Sequence, residues 1–279
     1  MEPTVDENNP QAPLEPLADP PVAESRTTHA LAPAWHTIVL ILVVAAISIA
    51  GSVRVAQPQP VHNRYATYAA TGGMELLMLA WVVWGLRMRR IPLRTLFGHL
   101  PSGARAFFAD LGVALVFWLG ALFVLGTLGM MWSGIETLVT HGAVPWHAGG
   151  APLTPARSEA SRALMQVAPS NLREGAAWAL LCLLVGIVEE SVFRGYFQGQ
   201  FTAWARGNVA AGVAFSALLF GAAHGYQGLR SIVLLVVFGA LFSLLSLFRR
   251  SLRPCIFAHA WHDLIAGIAL GIMRLHHLL

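Results

Sequence analysis

The 279-residue chain is 56% hydrophobic and only 11% charged, and its mean hydropathy is +0.61. Soluble domains carry about 25% charged residues, so this composition excludes an ordinary soluble domain and describes a polytopic membrane protein. All 18 basic residues are arginine and the formal net charge is +4. These arginines stand at the ends of apolar segments, where they set membrane orientation, and form no nucleic-acid patch.

Met1 to about Pro33 is rich in Pro, Ala and acidic residues (Glu2, Asp6, Glu7, Glu15, Asp19, Glu24) and lacks apolar periodicity. It reads as a disordered tail. A signal peptide would open with a short basic region directly before its apolar run, so the first apolar segment reads as a retained span. A span needs about 20 apolar helical residues. That window predicts an all-α bundle of about seven transmembrane helices near Trp35–Val53, Thr67–Leu86, Ala106–Trp132, Ala176–Trp204, Asn208–His224, Leu229–Phe248 and Cys255–Met273. The segment Ser133–Arg173, with four prolines, reads as a long irregular loop. Arg87, Arg89, Arg90, Arg94 and Arg105 follow the second span, and Arg249, Arg250 and Arg253 follow the sixth. The positive-inside rule then places the N-terminus in the cytoplasm and the long loop outside. Cys182 and Cys255 both fall in apolar segments and read as small core residues, not as a disulfide or metal site.

Within the fourth apolar segment stands "VGIVEESVFRGYF", Val185–Phe197. A charge at a span centre costs about 2.5–3.5 kcal/mol on insertion scales. Glu190 and Arg194 are four residues apart and meet on one helical face. Glu189 has no such local partner, so its charge is the one left over. "FSALLFGAAHG" brings Phe220 and His224 to the end of the fifth segment, and "CIFAHAWHDLIAG" puts His259 and Asp263 on one face of the seventh, with His262 on another. Intramembrane ionisable residues face a bundle interior or a water-filled cavity. If these faces converge, Glu189 can take a proton from water and return it to a leaving amine. His224 and His259 can hold a developing oxyanion, or hold a zinc ion together with Asp263. Counted by depth, however, Glu189 falls mid-membrane, His224 near the outer end and His259 near the inner end, about 10 Å or more apart. Glu75, midway along the second span, is a buried acid to which the sequence assigns no role.

At "EESVFR" (Glu189–Arg194), "FGAAH" (Phe220–His224) and "HAWHD" (His259–Asp263) the sequence resembles the CPBP family, the CAAX proteases and bacteriocin-processing (Abi) proteins. Their pattern is EExxxR, FxxxH and HxxxN or HxxxD on successive spans. The resemblance covers roughly Arg173 to Met273 and divides the chain into a tail (1–33), N-terminal transmembrane helices with the long loop (34–172) and a catalytic helix bundle (173–279). It implies an intramembrane endopeptidase with Glu189 as general base, His224, His259 and Asp263 completing the site, and Glu190, Arg194 and Phe220 supporting it. The eukaryotic type II CAAX prenyl endopeptidases carry asparagine where this chain has Asp263. The family's chemistry is argued both with zinc and with glutamate alone. The lack of an HExxH motif favours the glutamate version here. The implied partners are a membrane-associated or lipidated protein or peptide and the lipid bilayer, and the implied location is a bacterial plasma membrane. The competing class is a transporter, immunity protein or scaffold that uses the same buried groups for proton relay or partner binding; no inverted repeat of the kind transporters show is evident.

Overall fold

A computed structural model describes residues 29–56, 63–100, 102–141 and 167–275. The chain is built from helices: α1 (Ala34–Ala56), α2 (Arg64–Met88), a single-turn α3 (Arg94–Phe97), α4 (Ala104–His141), α5 (Leu172–Glu189), α6 (Gln198–Trp204), α7 (Val209–Ala223), α8 (Leu229–Arg249) and α9 (Arg253–Leu275). A π-helical segment, Glu190–Phe197, joins α5 to α6 without a break. Helix starts follow local sequence. Asn63, Asn171 and Asn208 each accept a backbone N–H of the first turn on Oδ1, at 3.2, 2.9 and 3.1 Å, which satisfies one donor that the helix itself leaves free.

Six helical stretches are long and apolar enough to cross a bilayer, the fourth being Leu172–Trp204. The protein is therefore a multi-pass integral membrane protein. The expected fifth span, Asn208–His224, is α7, whose 15 residues reach about 22 Å, short of a core of about 30 Å. Large apolar side chains face outward along the helices, as lipid-facing surfaces require: Phe123, Val116, Leu180 and Phe248 are all largely exposed.

Two expectations are revised. The helix of α4 continues through 38 residues to His141, so Ser133–His141 is helical and not loop. Ser133–His141 reads SGIETLVTH, which contains no proline to stop the helix, and a helix loses nothing by continuing past the bilayer. Pro145, Pro152 and Pro155 lie outside the described residues. The tail, in turn, is ordered at its end. Buried Gln200 accepts Leu31 N–H at 2.7 Å and Ala32 N–H at 3.2 Å, and donates to Ala32 O at 3.0 Å. A polar side chain in α6 thus pairs the backbone of the bend that precedes α1. Residues 1–28 lie outside the described residues.

Two packings position the site. The first is parallel, between α2 and α5. Arg64 pairs with Glu174 at 3.4 Å, the Tyr68 and Trp178 rings are 5.7 Å apart, and Gly72 packs on Leu181 and Leu184. The second is antiparallel, between α5 and α9. Trp178 Nε1–H donates to Asp263 O at 3.2 Å. Opposite Gly186 the α9 backbone comes so near that a Cβ would stand 3.2 Å from Ala260 N and from Ile256 O. Near the other end of α9, Arg249 and Arg253 clamp the fully buried carboxylate of Asp110 on α4, each through a 2.6 Å hydrogen bond. Two arginines read from sequence as orientation charges are therefore also ligands of a buried acid. Both cysteines are free and buried, as expected.

Gly186→Val is expected to push α9 off α5 and to destabilise the protein by about 1–3 kcal/mol. A lowered thermal-unfolding midpoint in detergent would register this, and Gly186→Ala should lie between valine and wild type.

Candidate active site

The EExxxR segment begins where α5 widens into the π-helical turn. Such widenings insert one extra residue into a turn and occur frequently at functional sites. Here the segment is nearly all buried: Glu190, Ser191, Val192, Phe193, Arg194, Tyr196 and Phe197 are shielded from solvent. Ser216 of α7 donates to Phe193 O at 2.7 Å, supplying a partner from a neighbouring helix to a carbonyl in the widened turn. Tyr196 anchors the segment to α1 through Thr37 Oγ1 at 2.8 Å and His36 Nδ1 at 2.9 Å. His36 Nε2–H donates to Trp81 O of α2 at 2.9 Å. Its Nδ1 is thereby left to accept the tyrosine hydroxyl.

Glu190 is fully buried. Its Oε1 accepts from Arg194 Nη1 at 3.0 Å and lies 2.7 Å from His259 Nδ1. An acid expected to pair only with Arg194 thus also fixes the orientation of an imidazole from α9. The guanidinium lies over the Phe220 ring, 4.2 Å from its centroid, and 5.1 Å from that of Phe242. A desolvated cation over an aromatic face gains about 2 kcal/mol. Phe220 therefore belongs to the motif for a physical reason: its ring supports Arg194, while its carbonyl accepts His224 Nδ1–H at 2.9 Å. A carbonyl only accepts, so Nδ1 of His224 is the donor and Nε2 is free.

The free nitrogen of His259 points at the remaining acids. Nε2 is 3.6 Å from Glu189 Oε2 and 3.6 Å from Asp263 Oδ2. Glu189 Oε2 is buried and has no hydrogen-bond partner among the described residues. Asp263 is the most open member, its side chain 30% exposed against 13% for Glu189, so the group is reached from the Asp263 side. His224 is within electrostatic reach of Asp263, and its ring stands 4.9 Å from that of Phe220. His262 faces away and packs on Phe238, centroids 4.9 Å apart.

The structure therefore brings Glu189, Glu190, Arg194, Phe220, His259 and Asp263 into one connected group with His224 beside it. The depth gap counted from sequence disappears because α6 and α7 form a hairpin. Glu189 lies fifteen residues before Trp204, and His224 fifteen after Val209, so both stand at one level above a shared turn. His259 reaches that level from the second turn of α9. One further acid lies near this group and no motif marks it. Glu75 of α2 is buried and within electrostatic reach of Glu189, His259 and Asp263. An apolar mid-span position for an acid is the only hint of it, and no motif surrounds it.

The spacing of His224, His259 and Asp263 in this structure does not form a three-ligand zinc site. Among the described residues no group of three or more His, Cys, Asp or Glu side chains is placed to hold a metal ion. His259 commits Nδ1 to Glu190 and His224 commits Nδ1 to Phe220 O, so Nε2 is the ring nitrogen that either could offer to a substrate or a metal.

Arg194→Met is expected to leave Glu190 as an uncompensated buried charge and to destabilise the fold by about 3–5 kcal/mol. The double variant Arg194→Met, Glu190→Leu should recover much of that loss in a thermal-unfolding assay, because it removes the orphaned charge along with its partner.

No curated protein and no solved structure matches the chain significantly. A family model described as "Type II CAAX prenyl endopeptidase Rce1-like" matches residues 172–265, which holds α5, the π-helical turn, the α6–α7 hairpin, α8 and the part of α9 that bears His259 and Asp263. That segment of the chain is an Rce1-like domain of the type II CAAX prenyl endopeptidase (CPBP/Abi) family, a family of hydrolases.

Proposed function

We propose that this protein is an intramembrane endopeptidase that hydrolyses a peptide bond of a membrane-associated or lipidated protein or peptide, with water activated by Glu189. The observation that carries this is the unequal use of the paired glutamates. Glu190 holds Arg194 and His259 through Oε1 and leaves only Oε2 unpaired, whereas Glu189 Oε2 has no hydrogen-bond partner among the described residues and faces His259 Nε2. One acid builds the site and its neighbour remains available for proton transfer.

The chemistry follows from that division. A water beside Glu189 gives it a proton, and the oxygen attacks the scissile carbonyl carbon. The carbonyl π bond becomes an oxyanion. With Nδ1 of both histidines already donating, Nε2 is the position that meets the substrate, and in the imidazolium form Nε2–H donates to that oxyanion. Asp263, four residues beyond His259 on the same face, keeps the ring aimed. The C–N bond then breaks, and Glu189 returns its proton to the departing amine nitrogen. The apolar surroundings exclude bulk water, which strengthens each of these electrostatic contacts.

A substrate held in or at the bilayer suits a site enclosed by membrane-spanning helices. The arginine distribution supports a cytoplasmic N-terminus, and a bacterial plasma membrane is the proposed location. The test is cleavage by purified protein, in detergent or liposomes, of a panel of membrane-spanning peptides together with a prenylated C-terminal peptide. Glu189→Gln is expected to remove at least about 10³-fold of kcat while the protein remains folded. His224→Ala should lower kcat by about 10²–10³-fold. A strong zinc chelator should leave the wild-type rate unchanged; a chelator-sensitive rate would instead make His224, His259 and Asp263 ligands. Full activity of folded Glu189→Gln would overturn the proposal.

A further inference from the structure

Glu75 lies outside the family match and takes part in none of the steps above. Only 7% of the residue is exposed, and its Oε2 is buried without a hydrogen-bond partner among the described residues. Leaving a buried carboxyl unpaired costs folding free energy. Strained or unsatisfied groups that persist in a fold cluster at functional sites.

The packing of α2 on α5 says where this carboxyl stands. The contacts Arg64–Glu174, Tyr68–Trp178 and Gly72–Leu181/Leu184 advance along both helices in the same direction with nearly constant offset. Extended by one turn, the same register sets Glu75 level with Val185, about 6 Å along the axis from Glu189. The titratable groups facing it are Glu189 from α5, His259 and Asp263 from α9, and Tyr226 from the turn after α7. Three buried carboxyl oxygens of the site, Glu75 Oε2, Glu189 Oε2 and Glu190 Oε2, lack a donor among the described residues, and Glu190 already has two donors on its other oxygen. Ionised carboxylates only accept, so in that form they cannot satisfy one another. Water has two O–H groups and can donate to both Glu75 and Glu189.

We propose that Glu75 is a further residue of the hydrolytic site and holds, together with Glu189, the water that attacks the scissile carbonyl. This rests on Glu189 being the base. One O–H of the water points to Glu189, which takes that proton. The other is accepted by Glu75 and is not broken. The water is then held by two acids from two helices, with its remaining lone pair turned toward the substrate carbon. Such placement is what converts a bound water into a nucleophile.

Two measurements test the assignment. In the peptide-cleavage assay, Glu75→Leu is expected to lower kcat by about 10²-fold with KM within about threefold, and Glu75→Gln, which keeps an accepting oxygen, to lose about tenfold. Glu75→Leu should nonetheless unfold at an equal or higher temperature, by about 2–4 °C, since it removes a buried carboxyl that no protein group pairs among the described residues. An acid needed only for packing would show the opposite: lower stability, and full kcat per folded molecule. The second measurement needs no substrate. In a double-mutant cycle on thermal unfolding, Glu75→Gln and Glu189→Gln should be non-additive, because either change alone relieves the same confrontation of carboxylates. Additive shifts, or wild-type kcat in both folded Glu75 variants, would overturn the proposal. Retained activity in Glu189→Gln would instead overturn the base assignment, and the cycle would still report whether the two acids meet.

Discussion

The carboxylate of Glu190 is the point on which the rest of the site depends. It is fully buried, and an isolated charge there would not be tolerated in a bilayer interior. Two donors make it tolerable: the guanidinium of Arg194 from its own helix and the imidazole of His259 from α9. The arginine is supported in turn by the faces of Phe220 and Phe242. One buried ion pair therefore couples α5, α7, α8 and α9, and the same bond that satisfies Glu190 aims the free nitrogen of His259 at Glu189 and Asp263. Satisfying buried polar groups and orienting reactive ones are a single arrangement here.

Close approach of backbones makes that arrangement reachable. Gly186 admits α9 against α5 just before the glutamates, and the hydrogen bond from Trp178 to Asp263 O pins the same pair of helices a few turns away. The α6–α7 hairpin then folds back by nearly equal lengths, which returns His224 to the level from which the chain departed. The N-terminal helices contribute more than bulk. Ser48 of α1 donates to Ala222 O at 2.7 Å and accepts Gly225 N–H at 3.1 Å, bracketing His224. Thr37 and His36 hold Tyr196 of the π-helical turn. The part of the chain outside the family match thus braces two of the three motif elements, and through Glu75 it brings an acid of its own.

Much was legible in the sequence. Composition and apolar run length were enough for an all-helical membrane bundle, because a bilayer demands long apolar helices whatever their packing. The spacing of Glu190 and Arg194, and of His259 and Asp263, sufficed for two contacts, since residues four apart on a helix are neighbours. The price of an unpaired charge singled out Glu189. The helical extension to His141 was less legible, because the prolines that suggest a loop lie beyond it and nothing marks where an apolar helix must stop.

What sequence alone determined is the membrane class, the element order and the residues that are too costly to be accidental. Each of these follows from local composition or from short-range helical geometry. What only the tertiary structure decided is which costly residues meet: that Glu190 serves His259 as well as Arg194, that the hairpin levels His224 with Glu189, that Asp110 is clamped by Arg249 and Arg253, and that Glu75 joins the acids of the site. Those meetings depend on the rotation and depth of one helix against another. Side-chain packing and backbone approach set both, and no spacing within a single helix encodes them.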